Sequence, residues 1–148
     1  ARLRAVKATT PGAELAVHLI LTSELTLFGS PVWGSSPGIP GSAATTGHSL
    51  AAVVVDISLG FPAVADGMTM VHELGHFMGL FHTTEYDRTY HDPLSDTPEC
   101  ATGAATCPDG RNIMYNAFYG ASGGVGLTTS PHQRRVIWSS PLYSATAP

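Results

Sequence analysis

Three features of the chain predict an α+β fold. Two apolar stretches of strand length, ELAVHLILTSEL and SLAAVVVDISL, come first; one helical pattern follows and stops at a glycine; the remainder is rich in Gly, Pro, Asp and Thr until a short capped helix near the end. The expected arrangement is a twisted mixed β-sheet with one long helix, above a loop-rich C-terminal region that ends in its own helix. At 148 residues the chain has the length of one ordinary domain. It reads as a single compact domain over residues 1–148, in which residues 1–79 form the N-terminal part and residues 80–148 the C-terminal part.

Each element has a local cause. The alternating apolar residues around 15–21 and the β-branched run at 50–57 read as strands, the second buried on both faces. Between them, GSPVWGSSPGIPGSAATTGHS carries too much Gly and Pro for a long element, so a loop with at most a short edge strand near Val32 and Trp33 is expected. Asp66 can cap a helix from Gly67 to Met78, with Met68, Val71, Leu74 and Met78 recurring at helical spacing toward the core. Gly79 supplies its stop. From Thr83 to Gly110 no periodicity persists, which predicts a long ordered loop of the kind that usually carries function. In SPHQRRVIW, Ser130, Pro131 and Gln133 form a capping box that opens the last helix.

Composition narrows the partners. Hydrophobic residues make up 43%, charged residues 12%, and the net charge is -4, so no attraction to nucleic acid or an anionic membrane surface is expected. The longest apolar runs fall short of the ~18 to 20 residues that span a bilayer. Lys7 is the single lysine, and the low-charge Gly/Ser/Thr/Ala surface fits a secreted enzyme. The N-terminal ARLRAVKATTPGAELAV lacks a signal-peptide pattern, so export implies a leader that is not included in this sequence. Cys100 and Cys107, with six residues between them in a loop-forming segment, read as a disulfide of an oxidising compartment.

The chemistry is concentrated in HELGHFMGLFH, residues 72–82. His72 and His76 are four apart, on one helix face with β-carbons about 5 to 6 Å apart, close enough to chelate a tetrahedral zinc whose ligand nitrogens stand roughly 3.3 Å from one another. His82, six residues beyond His76, lies about 240° further round a continued helix. It joins the pair only if the chain turns, and Gly79 occupies the place where the turn is needed. Three neutral imidazoles leave a fourth position for water, as in catalytic zinc sites. Glu73, about 100° round the helix from His72, can take a proton from that water as general base. The pattern therefore points to metal-assisted hydrolysis, most directly of a peptide bond. Five specified residues coincide by chance far less than ~1 time in 1,000 at ordinary composition. His18, His48, His91 and His132 are read as structural.

These residues resemble a known group. HELGHFMGLFH fits the HExxHxxGxxH signature of the metzincin zinc metallopeptidases, and NIMY resembles their Met-turn. The order VHELGHFMGLFHT, HDPLSDTPEC, CPDGRNIMY, SPHQRRVIW is similar to the pappalysin (cytophagalysin-like) family, over most of residues 15–142. The resemblance implies a metzincin-like fold with His72, His76 and His82 as zinc ligands, Glu73 as general base and acid, and Met114 as the apolar support beneath the metal. It also implies a calcium site involving Asp92 and Thr97, and a monomer acting on a protein or peptide substrate. Two departures stand out. Where many relatives place a tyrosine two residues after the Met-turn methionine, this chain has Asn116, leaving Tyr115 and Tyr119 as candidates for the oxyanion role. About 70 residues precede the zinc helix, so the first strand and helix of the usual N-terminal subdomain are not expected. Both departures keep open an alternative: a catalytically weak or inactive, zinc-stabilised polypeptide-binding module.

Overall fold

The computed structural model describes residues 17–42, 52–60, 62–117 and 127–140. Within them lie β1 (His18–Thr22), β2 (Thr26–Leu27), β3 (Ser30–Pro31), β4 (Gly34–Ser35), β5 (Ala52–Asp56), α1 (Ala63–Phe77) and α2 (Pro131–Trp138). The architecture is a small α+β arrangement.

Strand β5 is central because its AVVVD sequence can be buried on both faces. It pairs in parallel with β1, His18 opposite Ala52 through Thr22 opposite Asp56, and antiparallel with β4, Gly34 opposite Val55. The result is a mixed sheet of order β1-β5-β4. The edge strand expected near Val32 and Trp33 is displaced to either side of them: β3 ends at Pro31 and β4 begins at Gly34, with β2 and β3 forming a separate hairpin. Phe28 and Gly29 at its tip both have positive φ, 50° and 83°, the backbone pair of a two-residue hairpin turn. Buried Asp56 ties the sheet to this hairpin, accepting the Leu25 N–H at 3.1 Å and the Ser58 N–H at 2.8 Å.

Helix α1 begins a turn before the sequence-based boundary. Pro62 stands at the N-cap position without a side-chain cap, and Asp66 lies inside the first turn. An alanine-rich start and an acid near the positive end of the helix dipole favour the longer helix enough to absorb Gly67. The helix is also rotated from the expected face. Ala65, Thr69, His72, Glu73, Gly75, His76 and Phe77 are the buried stripe, whereas Val71 is 54% exposed. Phe77, Met70 and Leu74 pack on Val53 and Val55 of β5. Beside them Met68 and Val71 line an apolar groove with Ile113 and Leu127.

The helix ends in a Schellman turn. Gly79, at φ 107°, donates its N–H to His76 O at 2.9 Å, and Leu80 N–H donates to Gly75 O at 3.0 Å. Beyond it the chain up to Gly110 carries no helix or strand, only an isolated bridge between Thr84 and His91. A second apolar cluster of Leu80, Ile113 and Met114 joins this region to Val136 and Ile137 of α2. The capping box forms as expected: Ser130 Oγ accepts the Gln133 N–H at 3.1 Å, and Gln133 Oε1 accepts the Ser130 N–H at 2.9 Å. No helix among the described residues is long and apolar enough to cross a membrane.

Candidate metal centre

The turn at Gly79 returns the chain so that His82 faces the helix. His82 Nε2 stands 3.1 Å from both His72 Nε2 and His76 Nε2. Each ring is held from behind by a group that only accepts. His72 Nδ1 donates to Ile113 O at 2.6 Å, His76 Nδ1 to Leu80 O at 2.7 Å, and His82 Nδ1 to Glu85 Oε2 at 2.9 Å. A neutral imidazole has one proton, and here it is required at Nδ1. All three Nε2 atoms therefore present lone pairs to one another, a repulsive arrangement that a shared cation would convert into coordination. Their spacing is near the roughly 3.3 Å of a tetrahedral zinc site, and the three are a buried or half-buried set whose ligand atoms lie within 4.8 Å of one another.

Electrostatics agree with this reading. Burial lowers His72 to a pKa of about 3, helped by the neighbouring His76, and burial lowers His76 to about 4. Both rings are neutral, and so able to ligate, at neutral pH. Burial raises Glu73 to about 7, opposed by a hydrogen bond from the Ser36 backbone. Glu73 lies in the same open cleft of about 530 Å³ as His72 and His82, between a wall of Pro31, Val32 and Trp33 and a wall containing Asn116. The cleft floor is helix α1, so the sheet edge and the loop after Met114 face each other across the histidines.

The other sequence-derived residues fall into place unevenly. Met114 is fully buried, its sulfur packed against the Cα of Gly75, where a β-carbon would overlap it. Its turn is clamped to α2 by a buried amide pair: Asn112 Nδ2 donates to Gln133 Oε1 at 2.9 Å, and Gln133 Nε2 donates to Asn112 Oδ1 at 3.0 Å. Cys100 and Cys107 form the expected disulfide, which removes their sulfurs from any ligand set with Asp109. Tyr115, one of the two oxyanion candidates, is 4% exposed and its hydroxyl contacts Cys107 Sγ at 3.1 Å. Tyr115 is not among the residues that line the cleft. Tyr119 and His48 lie outside the described residues. Asn116 lines the cleft, with Nδ2 donating to Thr84 O at 2.7 Å. His91 and His132 are engaged elsewhere, beside Thr84 and Asp96 respectively.

For the calcium expectation the picture is partial. Asp92 and Thr97 are buried and adjacent, Thr97 Oγ1 donating to Asp92 Oδ1, which also accepts the Leu94 N–H at 3.1 Å. Asp92 Oδ2 and Asp109 Oδ1 are buried without a hydrogen-bond partner among the described residues. Asp109 Oδ2 accepts from Thr83 and Thr84 at 2.7 and 2.6 Å. Burial raises the Asp92 pKa, and the nearby charges of Asp96 and Asp109 add to that. Asp96 itself caps α2, accepting from Ser130 Oγ and the His132 N–H, both at 2.8 Å. Sequence reasoning missed Asp109, Glu85 and Asn112, and read Gln133 as a capping residue without its pairing to Asn112; of the three missed, only Glu85, three residues past His82, carries a local signal.

Comparison with known proteins gives short, consistent matches. The chain is similar to an extracellular metalloprotease of Podospora anserina, 45% identical over 47 residues, covering 31% of this chain and 16% of the relative. Similar matches are an extracellular metalloprotease of Colletotrichum graminicola, 39% identical over 51 residues (34% and 18%), and extracellular metalloprotease 1 of Coccidioides posadasii, 45% over 47 residues (31% and 17%). The matched stretch thus spans less than a fifth of the length of these relatives. The likeness is to metalloproteases in general and does not single out the pappalysins. No family model and no solved structure matches the chain.

Proposed function

We propose that this chain is the catalytic portion of a secreted zinc metallopeptidase that hydrolyses internal peptide bonds of protein or peptide substrates. The observation that carries this reading is the meeting of three Nε2 lone pairs, with the buried carboxylate of Glu73 in the same open cleft as His72 and His82. His72, His76 and His82 hold the zinc, which when bound supplies a Lewis acid that polarises a carbonyl and acidifies water. Glu73 takes a proton from the attacking water and returns it to the departing amine, two tasks that suit a carboxyl poised near neutral pH. Val32, Trp33 and Ala117 flank the extended substrate chain. The metzincin-like fold and the pappalysin relationship belong to this proposal; the first rests on HELGHFMGLFH and NIMY, the second on the order VHELGHFMGLFHT, HDPLSDTPEC, CPDGRNIMY, SPHQRRVIW. Secretion is supported by the disulfide and by the extracellular character that the relatives' names carry. A calcium ion near Asp92, Thr97 and Asp109 is proposed on the strength of the two unpartnered carboxylate oxygens.

The test is digestion of a denatured protein before and after complete metal removal. Cleavage should stop with the chelator and return with zinc; cleavage that survives full removal contradicts the proposal. A second reading, a polypeptide-binding module that does not cut, is favoured by Asn116, whose amide is committed to Thr84 O where many metzincins carry a tyrosine. Peptides that bind at micromolar strength and remain intact for days would select it.

A further inference from the structure

Two of the three imidazoles are oriented by backbone carbonyls, those of Ile113 and Leu80, which no substitution removes. The third is oriented by a side chain. We propose that Glu85 is the positioning residue of the metal centre: its carboxylate holds the His82 ring with Nε2 toward the other two and strengthens His82 as a donor by drawing on its Nδ1 proton. This rests on the metal-binding reading given above.

Three observations support it. First, His82 is the ligand that stands off the helix and is partly exposed, its side chain 24% accessible, so its ring needs an orienting partner more than the two helical ones do. Second, the backbone of Glu85 is fixed on both sides. Its N–H donates to Tyr90 O at 2.9 Å, and its carbonyl accepts the Arg88 N–H at 2.9 Å, closing a turn next to the Thr84 and His91 bridge. Arg88, at φ 60°, then reaches the loop closed by the Cys100–Cys107 disulfide, with Nη1 donating to Ala104 O at 2.7 Å, while Thr102 Oγ1 donates to Arg88 O at 3.2 Å. The carboxylate is therefore presented from an anchored turn. Third, a cation held by three neutral rings keeps its full charge, and a carboxylate one ring away offsets some of it; such outer partners commonly change metal affinity by about 10- to 100-fold.

A purely structural surface pair behaves differently. With Glu85 side-chain exposure at 44%, the pair adds little to folding, so its removal should leave the metal-free protein's melting temperature nearly unchanged. The experiment titrates zinc against a chromophoric competitor in the full chain, for the unsubstituted protein, Glu85→Gln and Glu85→Ala. It also records the visible spectrum of the cobalt-loaded forms and the melting of the chelated forms. Glu85→Ala should bind zinc about 10- to 100-fold more weakly with an altered cobalt spectrum. Glu85→Gln, isosteric and still able to accept from Nδ1, should fall between, and keeps the role testable if the alanine variant folds poorly. Zinc affinity and cobalt spectra equal to those of the unsubstituted protein in both variants overturn the role of Glu85 alone. Absence of zinc binding by the unsubstituted protein overturns the metal reading itself.

Discussion

Glu73 lies directly against the backbone of Gly34: a β-carbon at position 34 would stand 2.6 Å from Glu73 Cγ and 2.8 Å from its Oε1. The edge strand β4 thereby confines the carboxylate on the cleft side of α1. Gly34→Ala should push Glu73 aside and lower turnover by about 10- to 100-fold, the usual penalty for misplacing a reacting group by an ångström. Glu73→Gln should lower it further, by about 10² to 10⁴. Both variants should still bind zinc. Steady-state cleavage rates with parallel zinc analysis check this, and unchanged turnover in Glu73→Gln would remove that residue from the mechanism.

The metal-free protein should lose stability in acid. His72 and His76 have folded pKa values of about 3 and 4 because they are buried, below their ordinary 6.5, so their contribution is present above pH 6.5 and lost as pH falls toward those values. Glu73, raised by burial from 4.5 to about 7, contributes in the opposite sense, fully below pH 4.5 and lost as pH rises through 7. Between pH 4.5 and 6.5 the unfolded chain therefore binds two protons on the histidines where the folded one binds one on Glu73. Stability should rise with pH by about 1.4 kcal/mol per unit from these three groups. Glu73→Gln removes the opposing proton and should roughly double that slope. Urea melts of the chelated proteins at several pH values measure both slopes.

Gly75→Ala should destabilise by about 1 to 3 kcal/mol, because the added methyl overlaps the Met114 sulfur in a filled core. Met114→Ala in the same background should recover some of the loss by opening room. Denaturant midpoints of the two single variants and the double variant test the coupling; strict additivity would show that the two positions do not touch.

Calcium should raise the melting temperature, since an ion bound only by the folded state adds stability in proportion to the logarithm of its concentration. Asp92→Asn and Asp109→Asn should each abolish the shift, because each removes charge beside an unpartnered buried oxygen. Thermal melts over a calcium series check this, and identical melting at all concentrations excludes the site.

Residues that act through local geometry were legible in the sequence. The spacing of His72, His76 and Gly79, the Ser130 and Gln133 capping box and the β-branched run of β5 each follow from backbone rules that span a few positions. Contacts made across the fold were not. Gly34 against Glu73, Gly75 against Met114, and Asn112 paired with Gln133 depend on how separate segments dock. The rotation of α1 belongs to the same class: Met68 and Val71 are spaced for a core face, yet the buried stripe is the one that carries the histidines, because the sheet and the Met114 turn both pack there. Tyr115 belongs there too, as its hydroxyl contacts Cys107 Sγ of the disulfide loop and it does not line the cleft.

The most direct measurement is X-ray absorption on the zinc-loaded chain, paired with the same spectrum of His82→Ala. Three imidazole nitrogens at about 2.0 to 2.1 Å are expected in the unsubstituted protein, falling to two with a large loss of zinc affinity in the variant. A spectrum that His82→Ala leaves unchanged, with zinc held as tightly as before, would contradict the convergence of the three histidines on one ion.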